Sequence, residues 1–270
     1  MNRGIMLILL PPSEGKATTG DGPALALERL SRPELTATRE RVMNALIDLC
    51  EGPADRATAI LDLPAGQAAE AIERNRVLRA APTRTAARLY TGVLYDNLSI
   101  PTLGADAAER AAERLAIFSG LWGVLGIDDR VPPYRLAMGV KLPPLGALAQ
   151  VWRPALAPAM CAGGLVVDMR SAPYAAAWRP EGPWAAIGVV RERVVDGRIR
   201  RSVVSHMAKA TRGRVARDLI LADAEPKSPE ELAKILSDLG HVVELTSPTG
   251  SGRPWKAEVI LQEAVSTQPG

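Results

Sequence analysis

The chain has 270 residues, 47% of them hydrophobic and 23% charged, with a formal net charge of +3. This balance excludes a disordered or collagen-like polymer and fits one globular domain, 1–270, with a sizeable buried core. No stretch approaches the roughly 18 apolar residues a membrane helix needs, so the expectation is a cytoplasmic protein with no membrane partner.

An apolar run from Ile5 to Leu10 passes straight into Pro11, Pro12, Ser13 and Glu14 without a small-residue cleavage site. It therefore reads as a first buried strand, about Met6 to Leu10, and not as a signal peptide. A polar Pro/Gly-rich loop follows to Pro23, a place where α/β folds often keep their chemistry. From Pro33 to Ala81 the apolar residues recur at helical spacing, interrupted at Gly52-Pro53, which predicts a cluster of short helices. Arg84 to Leu98 reads as one more helix, so that a helical insertion covers about 33–98. Ala105 to Leu115 predicts an Ala-rich helix feeding a strand at Ala116 to Ser119.

Val131 to Pro144 is Pro-rich and predicts irregular chain, because proline removes donors and fixes φ. Leu145 to Met160 reads as a helix whose turns Pro154 and Pro158 start, kink or end. Strands follow at Gly164 to Asp168, Ala185 to Arg191 and Ile199 to Ser205, with Asp196-Gly197 as a hairpin signal. Helices at Met207 to Ala222 and Pro229 to Leu239, strands at His241 to Thr246 and Ala257 to Leu261, and a polar tail, about 262–270, complete the chain. Strands separated mainly by helices, with one hairpin, predict an α/β fold with a mixed central sheet.

Inventory limits the chemistry. Two cysteines, Cys50 and Cys161, are too few for a disulfide framework and are expected to be structural. With His206 and His241 they show no paired ligand spacing, so no metal and no cofactor is expected. Gly15-Lys16 superficially suggests a phosphate-binding loop, but Leu10 stands where its first glycine is needed and Ala17 follows the lysine. Between Arg191 and Arg217 nine Lys and Arg residues face only Glu192 and Asp196. That density reads either as an anion-binding face or as a solvated strand edge and helix surface.

Four segments are rich in functional residue types: Pro11-Pro12-Ser13-Glu14-Gly15-Lys16, Ser119-Gly120-Leu121-Trp122-Gly123, Pro133-Tyr134-Arg135-Leu136-Ala137-Met138-Gly139 and Ser205-His206-Met207-Ala208-Lys209-Ala210-Thr211-Arg212-Gly213. With Tyr90-Thr91-Gly92 and Asp168-Met169-Arg170-Ser171, this order resembles the YaaA family of bacterial peroxide-stress proteins over about Met6 to Leu261. The first loop departs from the shorter Ser-Pro-Ala-Lys of many members, and Asp168 to Ser171 departs from their Asn-Leu-Ala-Ser. The resemblance implies a mixed α/β fold, a positively charged cleft, a helix-hairpin-helix-like element, DNA binding, and a role in limiting iron-driven peroxide damage; with no recognisable base-reading helix, the expected partner is duplex DNA bound with weak sequence preference.

The residues expected to bind DNA or another anion are Lys16, Ser119, Tyr134, Arg135, Ser171, His206, Lys209, Arg212, Gly213 and Arg217. On a helix, His206, Lys209, Gly213 and Arg217 would fall along one side, and Lys209 and Arg212 would serve the ligand and not the fold. Other readings stand beside this one. Arg135 pairs with Asp128 or Asp129 while Tyr134 packs on the sheet, or Ser119 and Ser171 are turn residues. The helices around Gly52-Pro53, near Arg39, Arg41 and Arg56, either present N–H groups to phosphate or form an ordinary connection. The alternative function is an enzyme of unassigned reaction on a small anionic or nucleotide-like substrate, with Lys16, Tyr134, Ser171 and Lys209 as its polar machinery.

Overall fold

Apolar, β-branched runs in the sequence become the strands of one mixed sheet. The computed structural model describes residues 4–160, 163–195, 198–202 and 204–262. In chain order the strands are β1 (Leu7–Leu10), β2 (Arg84–Thr85), β3 (Leu115–Ser119), β4 (Gly123–Leu125), β5 (Arg130–Val131), β6 (Lys141–Leu142), β7 (Gly146–Ala147), β8 (Val166–Asp168), β9 (Trp184–Val195), β10 (Arg198–Ser202), β11 (Val243–Thr246) and β12 (Trp255–Gln262). The helices are α1 (Thr36–Glu51), α2 (Ala54–Leu61), α3 (Ala68–Arg76), α4 (Ala86–Leu89), α5 (Val93–Leu98), α6 (Ala105–Arg114), α7 (Leu148–Ala159), α8 (Ala172–Ala175), α9 (Ser205–Leu221) and α10 (Pro229–Asp238).

The main sheet runs β11-β12-β9-β8-β1-β3-β4, with β10 folded back on β9. β1 lies parallel between β3 and β8, and β8, β9 and β12 continue the parallel run. Three antiparallel partners complete the mixed sheet: β4 beside β3, β10 beside β9 and β11 beside β12. Burial follows from this order. Ile8, Leu9 and Leu10 of β1 and all five residues of β3 are enclosed, as expected for strands covered on both faces.

The chain after β1 crosses toward β3, whereas the chain after β8 leaves on the other side of β1 toward β9. Loops therefore diverge above the carboxyl ends of β1 and β8. Such a divergence opens a crevice that no connection fills.

Several expected elements differ. Arg84 to Leu98 is not one helix: Tyr90-Thr91-Gly92 separates α4 from α5, with Gly92 at φ +95 and Lys16 bridged to Tyr90. The segment after Ser119, for which no strand was expected, contains β4. Gly123 has φ +73, and a Cβ there would meet the Trp152 ring at 2.6 Å, so a side chain was given up for close packing. The strand expected to reach Ser205 ends at Ser202, and α9 begins at Ser205. Pro154 and Pro158 both lie inside α7. The Asp196-Gly197 turn, Cys161 and the tail beyond Gln262 lie outside the described residues.

Buried polar groups fix the loops above the sheet. Arg39 of α1 is fully buried, donating to the carbonyls of Trp122 (3.1 Å) and Val124 (2.8 Å) that close the β3–β4 turn. Its burial lowers its pKa to about 10. This arginine holds the fold together and is not available to phosphate beside Gly52-Pro53. Arg170 and Asp168 form a buried two-pronged pair, Nε to Oδ1 at 2.9 Å and Nη2 to Oδ2 at 2.7 Å, with the guanidinium over the Phe118 ring at 4.2 Å.

Candidate functional site

A cavity of about 520 Å³ occupies the crevice above β1 and β8. Its walls come from the loop after β1, the start of α5, the segment after β8, the Arg135–Ala137 loop and α9. Four cationic side chains reach it from three separate segments: Lys16, Arg135, and Lys209 with Arg212 on α9; Glu14 is the acid.

Backbone pairing holds the first loop in place. Ala17 N–H donates to the Leu89 carbonyl at 2.8 Å, and Thr91 N–H donates to Ser13 Oγ at 3.1 Å. Lys16 Nζ then donates to the Ser13 carbonyl at 2.8 Å and sits 4.5 Å above the Tyr134 ring centroid and 5.5 Å from that of Tyr90. Burial, reinforced by the positive charges of Arg135 and Arg74, lowers the Lys16 pKa from 10.5 to about 7; Glu14 offsets this in part. Aromatic faces attract an ammonium, but here they also displace water from it, and the loss of water dominates.

Beneath Lys16 runs a closed hydroxyl chain. Tyr134 Oη is 2.8 Å from Tyr90 Oη and 2.7 Å from Ser119 Oγ, which also accepts the N–H groups of Leu121 (3.1 Å) and Trp122 (2.9 Å). Burial pushes the Tyr90, Tyr95 and Tyr134 phenols upward, so all three stay protonated in the neutral range. Tyr134 and Ser119 thus form the floor that carries Lys16; neither lines the cavity itself.

The expected site residues divide into three groups. Lys16, Arg135, Ser171, Lys209 and Arg212 are brought together at the cavity. Ser119 and Tyr134 lie below it. His206, Gly213 and Arg217 do not reach it. His206 is exposed. Gly213 faces α5, where an added Cβ would lie 2.2 Å from the Leu94 carbonyl. Arg217 donates to the carbonyls of Leu98 (2.9 Å) and Ser99 (3.0 Å), capping the end of α5. The single stripe His206-Lys209-Gly213-Arg217 is therefore split, because α9 packs along α5 on the side that holds Gly213 and Arg217.

Arg212 also serves the fold: its Nε donates to the Ile187 carbonyl of β9 at 3.1 Å. Arg135 lies 3.8 Å from Glu14 across the cavity and does not pair with Asp129, whose carboxylate accepts from Ser31 and Gly126. The basic stretch 191–217 does not form one face. Arg201 pairs with Glu192 and Glu244, and Arg214 donates to Asn97. Tyr95 and Tyr174 also line the cavity and were not among the expected site residues: Tyr174 ends the motif segment that starts at Asp168, and Tyr95 carries only the signal of an aromatic near a loop, which ordinary core residues share.

A second cavity, about 570 Å³, lies beside the Asp168–Arg170 pair and is lined by Arg179, Arg253 and Lys256 among others. The 168–176 segment contributes to both cavities. Among the described residues, no group of three or more His, Cys, Asp or Glu is placed to hold a metal ion. Cys50 is buried, and burial raises its thiol pKa.

A mixed sheet with a crevice above the carboxyl ends of diverging parallel strands defines an α/β protein, with no membrane-crossing helix among the described residues. Comparison with known proteins narrows the class. A family profile described as peroxide stress protein YaaA matches residues 6–244. The chain is 48% identical over 261 residues to a UPF0246 protein of Streptomyces coelicolor, covering 96% of this chain and 99% of that one. It is 38% identical over 244 residues to a UPF0246 protein of Corynebacterium glutamicum, covering 88% and 95%. A UPF0246 protein of Idiomarina loihiensis is 29% identical over 237 residues. The chain belongs to the YaaA/UPF0246 family of peroxide stress proteins.

Proposed function

We propose that this protein acts in peroxide stress by binding duplex DNA through phosphate contacts at the cation-lined crevice, and that this contact is how it limits iron-driven oxidative damage. The observation that carries the reading is the placement of cations on both sides of the 168–176 segment: Lys16, Arg135, Lys209 and Arg212 in one cavity, Arg179, Arg253 and Lys256 in the next. Two adjoining positive hollows suit a polyanion that continues past one site better than a single small molecule. Phosphate-directed Arg and Lys, without a helix presenting a run of base-reading side chains, give affinity with little sequence preference.

The test is anisotropy of labelled duplexes of unrelated sequence across a salt series. Binding should weaken linearly in log salt, and Arg135→Glu with Lys209→Glu should lower both the affinity and the slope, by about 0.9 for each phosphate contact removed. No binding at low salt would refute the DNA reading. The narrower alternative, an enzyme acting on a small anion, is favoured by one feature only, the enclosed amine of Lys16; complete displacement of DNA by millimolar mononucleotide would support it.

A further inference from the structure

We propose that Lys16 is a reactive amine that condenses with the aldehyde of a phosphate-bearing ligand held in the crevice. The inference goes beyond DNA binding and does not depend on it. Three features place a nucleophile there. Lys16 reaches the wall of the 520 Å³ cavity from a loop fixed by the Ala17–Leu89 and Thr91–Ser13 hydrogen bonds. The Ser13 carbonyl takes one N–H of the amine at 2.8 Å, which orients the group while leaving a lone pair free once it is neutral. No carboxylate lies within ion-pair distance of Nζ among the contacts of the described residues, in contrast to the usual buried lysine.

The surroundings define the ligand. Arg135, Lys209 and Arg212 line the same cavity and suit a phosphate, for which two-pronged guanidinium contacts are well shaped. With the lysine pKa near 7, about half of the amine is neutral at pH 7, against roughly one part in three thousand for an ordinary lysine. Its lone pair adds to the carbonyl carbon, the carbonyl oxygen takes both amine protons in turn and leaves as water, and a carbon–nitrogen double bond remains. Tyr174, whose phenol burial keeps protonated, lines the same wall and can relay the first of these protons, giving its own to the oxygen and taking one back from the nitrogen. The same chemistry, an aldehyde flanked by phosphate, is offered by a free sugar phosphate and by the ring-opened deoxyribose of an abasic nucleotide in DNA.

The experiment incubates the full chain with glycolaldehyde phosphate and sodium cyanoborohydride, which reduces the imine to a stable secondary amine, and maps the adduct by peptide mass spectrometry. The sequence has six lysines, so the labelled position is unambiguous. At pH 7 Lys16 should be labelled on the order of a hundredfold faster than any other lysine, with a half-maximal rate near pH 7 and protection by inorganic phosphate. Glycolaldehyde without the phosphate should react at least tenfold more slowly, and Lys16→Arg should remove the adduct. A duplex carrying one abasic site, trapped in parallel, distinguishes the two sources: a crosslink at Lys16 assigns the DNA aldehyde, its absence with phosphate-dependent small-molecule labelling assigns the free one. Labelling spread evenly over the lysines, a rate that rises only above pH 9, or an unmodified Lys16 would overturn the proposal whether or not DNA binds. Lys16 labelling in a protein that fails the anisotropy test would sink the DNA reading alone. Because the wild-type map decides the matter, a failure of Lys16→Arg to fold does not.

Discussion

Replacing Lys16 by Met keeps the length of the side chain and its contact with the Tyr134 and Tyr90 rings but removes the ionisable group. The unfolded chain holds this proton until about pH 10.5, the folded chain only until about 7. Between those values the unfolded state binds more protons, so this group makes wild-type stability rise with pH across that window. Below pH 7 both states are protonated and the cost of burying the ammonium is complete; above about 10.5 it is gone. At 1.36 kcal/mol per pH unit the full difference is on the order of 5 kcal/mol. Lys16 is only half-buried, and water at the cavity mouth screens the charge, so we expect ~2 kcal/mol. Urea unfolding of wild type and Lys16→Met, measured from pH 6 to 10, gives the difference directly. The variant should gain most at pH 6 and lose its advantage toward pH 10, apart from a constant offset for the lost Ser13 hydrogen bond. A difference that does not change with pH would refute the reasoning.

Four other outcomes follow from the same geometry. Ser119→Ala leaves the Leu121 and Trp122 N–H groups and the Tyr134 hydroxyl short of a partner in the core, and should cost about 2–3 kcal/mol in chemical denaturation. Arg170→Leu strands the buried Asp168 carboxylate and should cost about 3–5 kcal/mol in chemical denaturation at pH 7; a loss below about 1 kcal/mol would mean that the pair does not hold the loop. Gly213→Ala drives a Cβ into the carbonyl of Leu94, a cavity-lining residue, and should lower thermal stability by about 2 kcal/mol or more. Lys209→Glu should leave the unfolding midpoint within about 0.5 kcal/mol of wild type, whereas Arg212→Glu, which loses its bond to the Ile187 carbonyl, should cost clearly more; equal effects would mean that Arg212 is not anchored on β9.

Local pattern was sufficient for much of this molecule. The apolar run at Leu7–Leu10, the Val-rich segment at β9 and the helical spacing of α1, α6, α9 and α10 depend on periodicity that any window of the chain displays, and the longer helices and the main-sheet strands other than β4 followed from it. The family was also legible, because its short motifs keep their order along nearly the whole chain. What neighbouring residues could not determine was direction. Lys209 and Gly213 are one turn apart on the same helix, yet one lines the cavity and the other is pressed against α5, since a partner helix far back in the sequence selects the side. Arg39 and Arg135 carry the same charge; α1 packs beneath the β3–β4 turn and buries the first on carbonyls, while the loop before Ala137 leaves the second facing Glu14. The most consequential property, the lowered pKa of Lys16, belongs to no segment at all. It arises where a loop after β1, two tyrosines from separate loops and Arg135 converge, and that convergence exists only because the chain leaves β1 and β8 on opposite sides.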